Sequence, residues 1–231
     1  MAAAQLIVAL DVSSSAEAER IVASLGNAVQ IYKVGMQLYT AEGPPIVRDL
    51  VASGKSVFLD LKYHDIPNTV GAAVREATKL GVSMLTVHAA GGTKMLKVAA
   101  EAAKENPSSN LAVLAVTVLT SMDEEQLKET GLSGQLLDQV LRLGSLAIQA
   151  GCAGVVSSAQ EVKALRAKLG NAFLAVTPGV RPAGTAHGDQ ARVVTPAEAI
   201  SSGATHIVVG RPITAATDPV AEAEKILKAI A

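Results

Sequence analysis

Short apolar runs that alternate with helix-patterned segments predict the α/β class and a single (β/α)8 TIM barrel spanning residues 1–231. Three observations carry this. Eight runs rich in Val, Ile, Leu and Ala recur along the chain, each too short for a globular helix. Helical patterns separate them, with no linker or low-complexity segment. The 231 residues, 49% of them hydrophobic, suffice for one barrel-sized core. An open doubly wound sheet is the competitor. It usually needs fewer strands, and no GxGxxG opens the first helix here.

The elements follow in order. LIVAL (6–10) is the first strand, and SSSAEAERIVASLG (13–26) its helix. That helix offers a Ser cap, an acidic first turn, an Ile21/Val22/Leu25 stripe and a closing Gly26. IYKVG (31–35) precedes a helical pattern over 42–54, and VFLDL (57–61) one over 67–81. MLTVHA (84–89) leads into 92–105. LAVLAVTVL (111–119) is followed by acidic SMDEEQLKET, an extra turn or small helix, and then by 133–151. AGVVSS (153–158) leads into 158–170, FLAVTP (173–178) into 195–203, and HIVVG (206–210) into 218–230.

Composition narrows the function. The net charge is −1 and neither half is strongly basic, which argues against nucleic-acid or membrane-surface binding through a broad positive field. The only aromatics are Phe58, Phe173, Tyr32, Tyr39 and Tyr63, too few for a base-stacking platform. The single cysteine, Cys152, cannot form an internal disulfide and reads as a small core residue. MAAAQLIVALDV has no basic leader, and no run is long enough to span a membrane. A soluble cytoplasmic protein is the expectation.

A barrel carries its chemistry at the C-terminal ends of its strands. Those ends hold Asp11, Lys33, Asp60, Lys62, His88, Thr120, Ser157, Thr177, Gly210 and Arg211. Asp60 and Lys62 lie two apart, so alternation puts both on the inward face. Lys33 lies on the next strand and Asp11 ends the first. Four alternating charges thus meet at the mouth. Burying charge is costly even when paired, and apolar residues could close a barrel. The array therefore reads as one that acts on a ligand.

A second cluster is TPGVRPAGTAHGDQARVVTP (177–196), a Gly/Pro-rich polar loop suited to a lid at about 178–194. It carries Arg181, His187, Asp189, Gln190 and Arg192. GRPITAATDP follows the eighth strand. Barrels frequently bind phosphate in the loops after strands seven and eight, and Arg181, Gly210 and Arg211 suit that task. They point to a phosphorylated small molecule.

DLKYHDIPNT (60–69) resembles the signature of the orotidine 5′-phosphate decarboxylases, Asp-x-Lys-x-x-Asp-Ile-Pro-Asn-Thr. ALDV, YKVGMQLYTAEGP, TVHAAGG, VTVLTS, TPGVRP, GDQARVVTP and IVVGRPI look like successive landmarks of the bacterial members, across essentially the whole chain. The resemblance implies decarboxylation of orotidine 5′-phosphate to UMP and CO2, the last step of de novo pyrimidine synthesis, with no metal and no organic cofactor. It implies a homodimer with shared active sites. By position, Lys62 would protonate C6. Lys33, Asp60 and Asp65 would complete the array, with Asp65 reaching across from the neighbouring subunit. Asp11 and Lys33 would hold ribose hydroxyls, and Thr69 would touch the nucleotide from across the interface. Thr120 and Ser121 would lie at the pyrimidine edge. Arg181, Gln190, Gly210 and Arg211 would grip the phosphate, with Gln190 also reaching the base. Tyr63 and His206 depart from common family residues, but away from the mouth. His88 is expected to be structural and His64 a bystander.

The chemistry explains the residue types. Loss of CO2 leaves a carbanion at C6 that no adjacent group delocalises well. Without an electron sink, the protein must supply the electrostatics. An ammonium answers the charge and then delivers a proton, which Arg cannot readily do. Flanking carboxylates favour that ammonium in a dry site. The alternative is a magnesium-dependent sugar-phosphate decarboxylase or aldolase of the same barrel group, which shares Asp-x-Lys-x-x-Asp. The IPNT run after Asp65, and Glu42 and Glu76 lying within helices, weigh against it. A non-catalytic nucleotide-binding barrel would need a broken array, and this one is intact.

Overall fold

A computed structural model describes residues 4–182 and 194–231. Strict alternation of side chains along each strand produces two apolar faces. In β1 (Gln5–Ala9), Leu6 and Val8 face outward, and Ile7 and Ala9 inward. The same split recurs in β2 (Ile31–Gly35), β3 (Ser56–Tyr63), β4 (Met84–His88), β5 (Ala112–Val116), β6 (Gly154–Val156), β7 (Leu174–Thr177) and β8 (His206–Val209). With both faces apolar, all the strands can pair in parallel under a covering of helices. They do so, and β8 returns to β1 to close the barrel. Ile7, Ile31, Phe58, Met84, Leu114 and their neighbours fill the interior. The barrel is a packed core whose open end is polar.

Local chemistry sets the helices. Ser14 accepts the Glu17 N–H and starts α1 (Ser15–Leu25). The helix expected over 42–54 is present, and a second, unexpected helix precedes it. α2 (Met36–Glu42) begins directly after β2 and α3 (Pro44–Ala52) follows it. Gly43, at φ 68°, makes the break, and Pro44 restarts the helix where its missing N–H costs nothing. α4 (Pro67–Lys79) and α5 (Gly92–Lys104) fall as expected, the latter after a 3-10 turn at Ala89–Gly91. The acidic stretch forms α6 (Glu124–Glu129), closed by an Asp123/Gln126 capping box. α7 (Leu136–Gln149), α8 (Ala159–Leu169), α9 (Pro196–Ser201), α10 (Arg211–Thr214) and α11 (Pro219–Ile230) complete the outer layer.

Two strand ends differ from expectation at the mouth. The 111–119 run stops pairing as a strand at Val116, and Leu119, Thr120 and Ser121 turn over the opening. β3 runs on to Tyr63, carrying both members of the Asp60/Lys62 pair.

The opposite end carries structural polar groups. Arg166 donates to the carbonyls of Gly203 and Phe173 and lies over the Phe173 ring. Cys152 is buried, and burial pushes its thiol up to about 12, consistent with an inert core residue. Among the described residues, no helix is long and apolar enough to cross a membrane.

His206 opens β8, buried, with Nδ1 2.9 Å from the Thr205 hydroxyl. Burial lowers its pKa from the ordinary 6.5. Burial also lowers that of His88, helped by His64 and Lys62. Both groups resist protonation in the folded barrel, whereas the unfolded chain accepts the proton freely. Their contribution is therefore intact above pH 6.5 and is lost as pH falls below it. The urea midpoint should fall between about pH 7.5 and 5.5, and His206→Gln should flatten that slope. A midpoint constant across this window in the unaltered protein would contradict the assignment.

Candidate active site

The C-terminal ends of the strands open on a cavity of about 580 Å³, a size suited to a small-molecule ligand. Asp11, Lys33, Asp60, Lys62, Thr120, Ser121, Arg181, Gly210 and Arg211 all line it. Asp65 and Thr69 do not line it; both lie exposed beside the mouth. Gln190, with His187, Asp189 and Arg192, lies outside the described residues.

The four charges form one chain of contacts. Lys33 Nζ lies 2.9 Å from Asp11 Oδ1 and 3.7 Å from Asp60 Oδ2. Lys62 Nζ lies 2.9 Å from Asp60 Oδ1. Asp60 is therefore shared by two ammonium groups. Its side chain and that of Lys33 are only 13% and 12% exposed, while Asp11 faces solvent. At about 4 Å and an effective dielectric of about 20, each of the two partly buried contacts to Asp60 is worth on the order of 4 kcal/mol before desolvation, and the solvent-screened contact to Asp11 much less. That is enough to decide where flexible lysine tips rest.

Plain alternation does not by itself place Lys62. The β3–β4 register runs Leu59↔Leu85 and then Tyr63↔Val87, so β3 spends four residues where β4 spends two. Lys62 takes up this slack at φ 53°, the sole non-glycine with positive φ among the described residues. That conformation costs roughly 1–3 kcal/mol and persists only where surroundings enforce it. The Lys62 N–H leaves the ladder and donates to the Thr86 hydroxyl, 2.9 Å away. The Thr86 hydroxyl donates in turn to Asp60 Oδ1, also at 2.9 Å.

Neighbouring side chains take other work. Tyr63 packs on the outer core, and burial, with Tyr39 nearby, pushes its hydroxyl up to about 12. His88 accepts the Ala90 N–H at Nδ1 and stacks on His64 at 5.3 Å. Neither imidazole lines the cavity. Val180 bridges Val194, and the Arg181 N–H donates to the Val194 carbonyl. Arg181 Nε is buried with no hydrogen-bond partner among the described residues. Among the described residues, no three His, Cys, Asp or Glu side chains converge as a metal-ligand group.

Two supporting residues escape a reading of the sequence alone. Thr86 continues the inward alternation of Met84 and would have been found from the β3–β4 register. Gly35 pairs with Asp60 across β2 and β3, and a Cβ there would stand 2.9 Å from Lys33 Nζ.

A closed parallel barrel with charged groups gathered in a cavity at its strand ends defines a TIM-barrel enzyme. Residues 4–226 match the family described as "Orotidine 5′-phosphate decarboxylase / HUMPS family". An orotidine 5′-phosphate decarboxylase of Moorella thermoacetica is 50% identical over 227 residues, 96% of this chain and 90% of that protein. One from Halorhodospira halophila is 52% identical, covering 98% and 96%. The crystal structure of the Lactobacillus acidophilus orotidine 5′-phosphate decarboxylase superposes with a TM-score of 0.88 at 40% identity, covering 98% of this chain and 99% of that one. The chain belongs to the orotidine 5′-phosphate decarboxylase / HUMPS family.

Gly35 has φ −94°, which any residue adopts, so substitution there tests space alone. In Gly35→Ala the new methyl meets the far end of a flexible lysine. Lys33 Nζ should move at little cost in stability. A melting temperature within a few degrees of the parent, with kcat/KM at least about tenfold lower, is the expected result. Unchanged turnover would show that the Lys33 position does not matter.

Proposed function

We propose that this barrel is an orotidine 5′-phosphate decarboxylase in which the Asp11–Lys33–Asp60–Lys62 array performs the chemistry. It converts orotidine 5′-phosphate to UMP and CO2 in pyrimidine biosynthesis. The observation that carries the assignment of roles is the sharing of Asp60 by two lysines at the cavity wall. The C6–carboxylate bond breaks and its electron pair stays on C6. Lys62, already cationic beside Asp60, answers that charge and gives C6 a proton. It is left as an amine to be reprotonated from solvent. A field already in place spares reorganisation at the moment of reaction.

The other residues hold the substrate. Asp11 and Lys33 meet ribose hydroxyls, and Thr120 and Ser121 meet the pyrimidine edge. Arg181, Gly210 and Arg211 take the phosphate, with Gln190 on a loop at about 178–194 that closes over it. Binding energy at this remote group is available to assemble the reactive end. The reaction uses no metal and no organic cofactor, and proceeds in the cytoplasm.

The active unit is a homodimer. Asp65 lies outside its own cavity, where its carboxylate accepts the Ile66 N–H. Thr69 is exposed nearby, and the apolar Met36 and Ile66 stand 56% and 66% exposed. A second copy covering these apolar side chains would bring Asp65 and Thr69 to its partner's cavity.

Turnover of orotidine 5′-phosphate should survive a strong chelator. Lys62→Ala should fold and bind UMP but lose nearly all turnover. Mixed Lys62→Ala and Asp65→Ala chains should regain activity, because half of the heterodimers' sites carry both groups intact. Activity that needs added magnesium, substantial turnover by Lys62→Ala, or mixtures no better than their parents would each contradict the corresponding part.

A further inference from the structure

We infer that Thr86 is a positioning residue for the decarboxylation, setting both the Lys62 backbone and the Asp60 carboxylate without touching substrate. This rests on the roles proposed above for Asp60 and Lys62. Thr86 is fully buried and absent from the cavity lining. Its hydroxyl has one proton and two lone pairs. The proton goes to Asp60 Oδ1, the oxygen that also receives Lys62 Nζ. A lone pair accepts the Lys62 N–H, which the interrupted ladder leaves without a strand partner. One hydroxyl thus closes a ring running from the Lys62 backbone through Thr86 and Asp60 to the Lys62 ammonium.

Each link limits a different freedom. Lys62 sits at φ 53°, a conformation a lysine does not hold unaided. The N–H bond to Thr86 fixes that turn, and so the origin of the side chain. The hydroxyl bond to Asp60 fixes the carboxylate, and so the place where the ammonium comes to rest. Thr86 is itself well anchored. It lies on β4 between Leu85 and Val87, which pair with β3 on either side of the bulge. Its branched Cβ restricts χ1. Rigid support of this kind keeps a reacting group within the small tolerance that catalysis allows.

The test compares Thr86→Val, Thr86→Ser and Lys62→Ala with the parent protein, measuring kcat, KM for orotidine 5′-phosphate, UMP affinity and melting temperature. Val keeps the shape and removes the hydroxyl. Ser keeps the hydroxyl. Thr86→Val should lose about 10- to 100-fold in kcat, the range for one hydrogen bond to a charged group. UMP affinity should stay within about threefold. Thr86→Ser should recover most of kcat. Thr86→Ala replaces Val if the Val protein does not fold. A valine variant with kcat within about twofold of the parent, beside a dead Lys62→Ala, overturns the role of Thr86 while leaving that of Lys62. Equal losses in Val and Ser, or losses that follow melting temperature alone, overturn it as well. An active Lys62→Ala removes the reading on which it rests.

Discussion

The site depends on one carboxylate held between two ammonium groups. Asp60 meets Lys62 through one oxygen and Lys33 through the other, while Asp11 holds Lys33 from its far side. Charges of one sign repel and those of the other attract, so the order minus, plus, minus, plus is stable only as a whole. Removing an inner member leaves a partly buried charge without its partner, which costs more than the pair contributes. The array is therefore a source of field and a constraint on its own geometry. The proposed decarboxylation needs both.

Much of the barrel mouth serves that constraint. β1, β2 and β3 deliver the four charges from neighbouring positions. β3 must bulge to do so, because regular pairing with β4 would not leave Lys62 in its left-handed turn. Gly35 leaves room beside the Lys33 ammonium, since a Cβ there would crowd it. These features cost local stability, and the well-packed interior beneath them tolerates the loss. The division matches the general behaviour of barrels, with stability at one end and chemistry at the other. Arg166 and its carbonyl partners belong to the first, and Asp60 and its lysines to the second.

The sequence made the fold legible because eight apolar runs survive in nearly unbroken order, and α1, α6, α8, α9 and α11 start at Ser, Asp or Thr caps. What failed was local. The 42–54 helix hid a second one starting at Met36, since GMQLYTAE has no side-chain cap at its Gly35 start. Asp60 and Lys62 were legible from period-two spacing, Lys33 and Asp11 from their places at the ends of neighbouring strands, and Arg181 and Arg211 from their loops. Asp65 and Thr69 enter the proposed site only through family resemblance, because their own barrel gives them no place in the cavity. Thr86 and Gly35 were not legible. A threonine in a strand and a glycine at a strand end are commonplace, and their importance appears only with inter-strand register. Asp60 and Lys62 were paired for an incomplete reason, since alternation ignores the bulge.

The most direct test of this account is kcat for Asp60→Asn at saturating orotidine 5′-phosphate. Asn keeps the shape and the capacity to accept the Thr86 hydroxyl, but carries no charge for the two lysines. If the shared carboxylate organises the site, turnover should fall by at least about a thousandfold, roughly 4 kcal/mol of transition-state stabilisation. A folded Asp60→Asn protein with kcat within about tenfold of the parent would contradict the central claim.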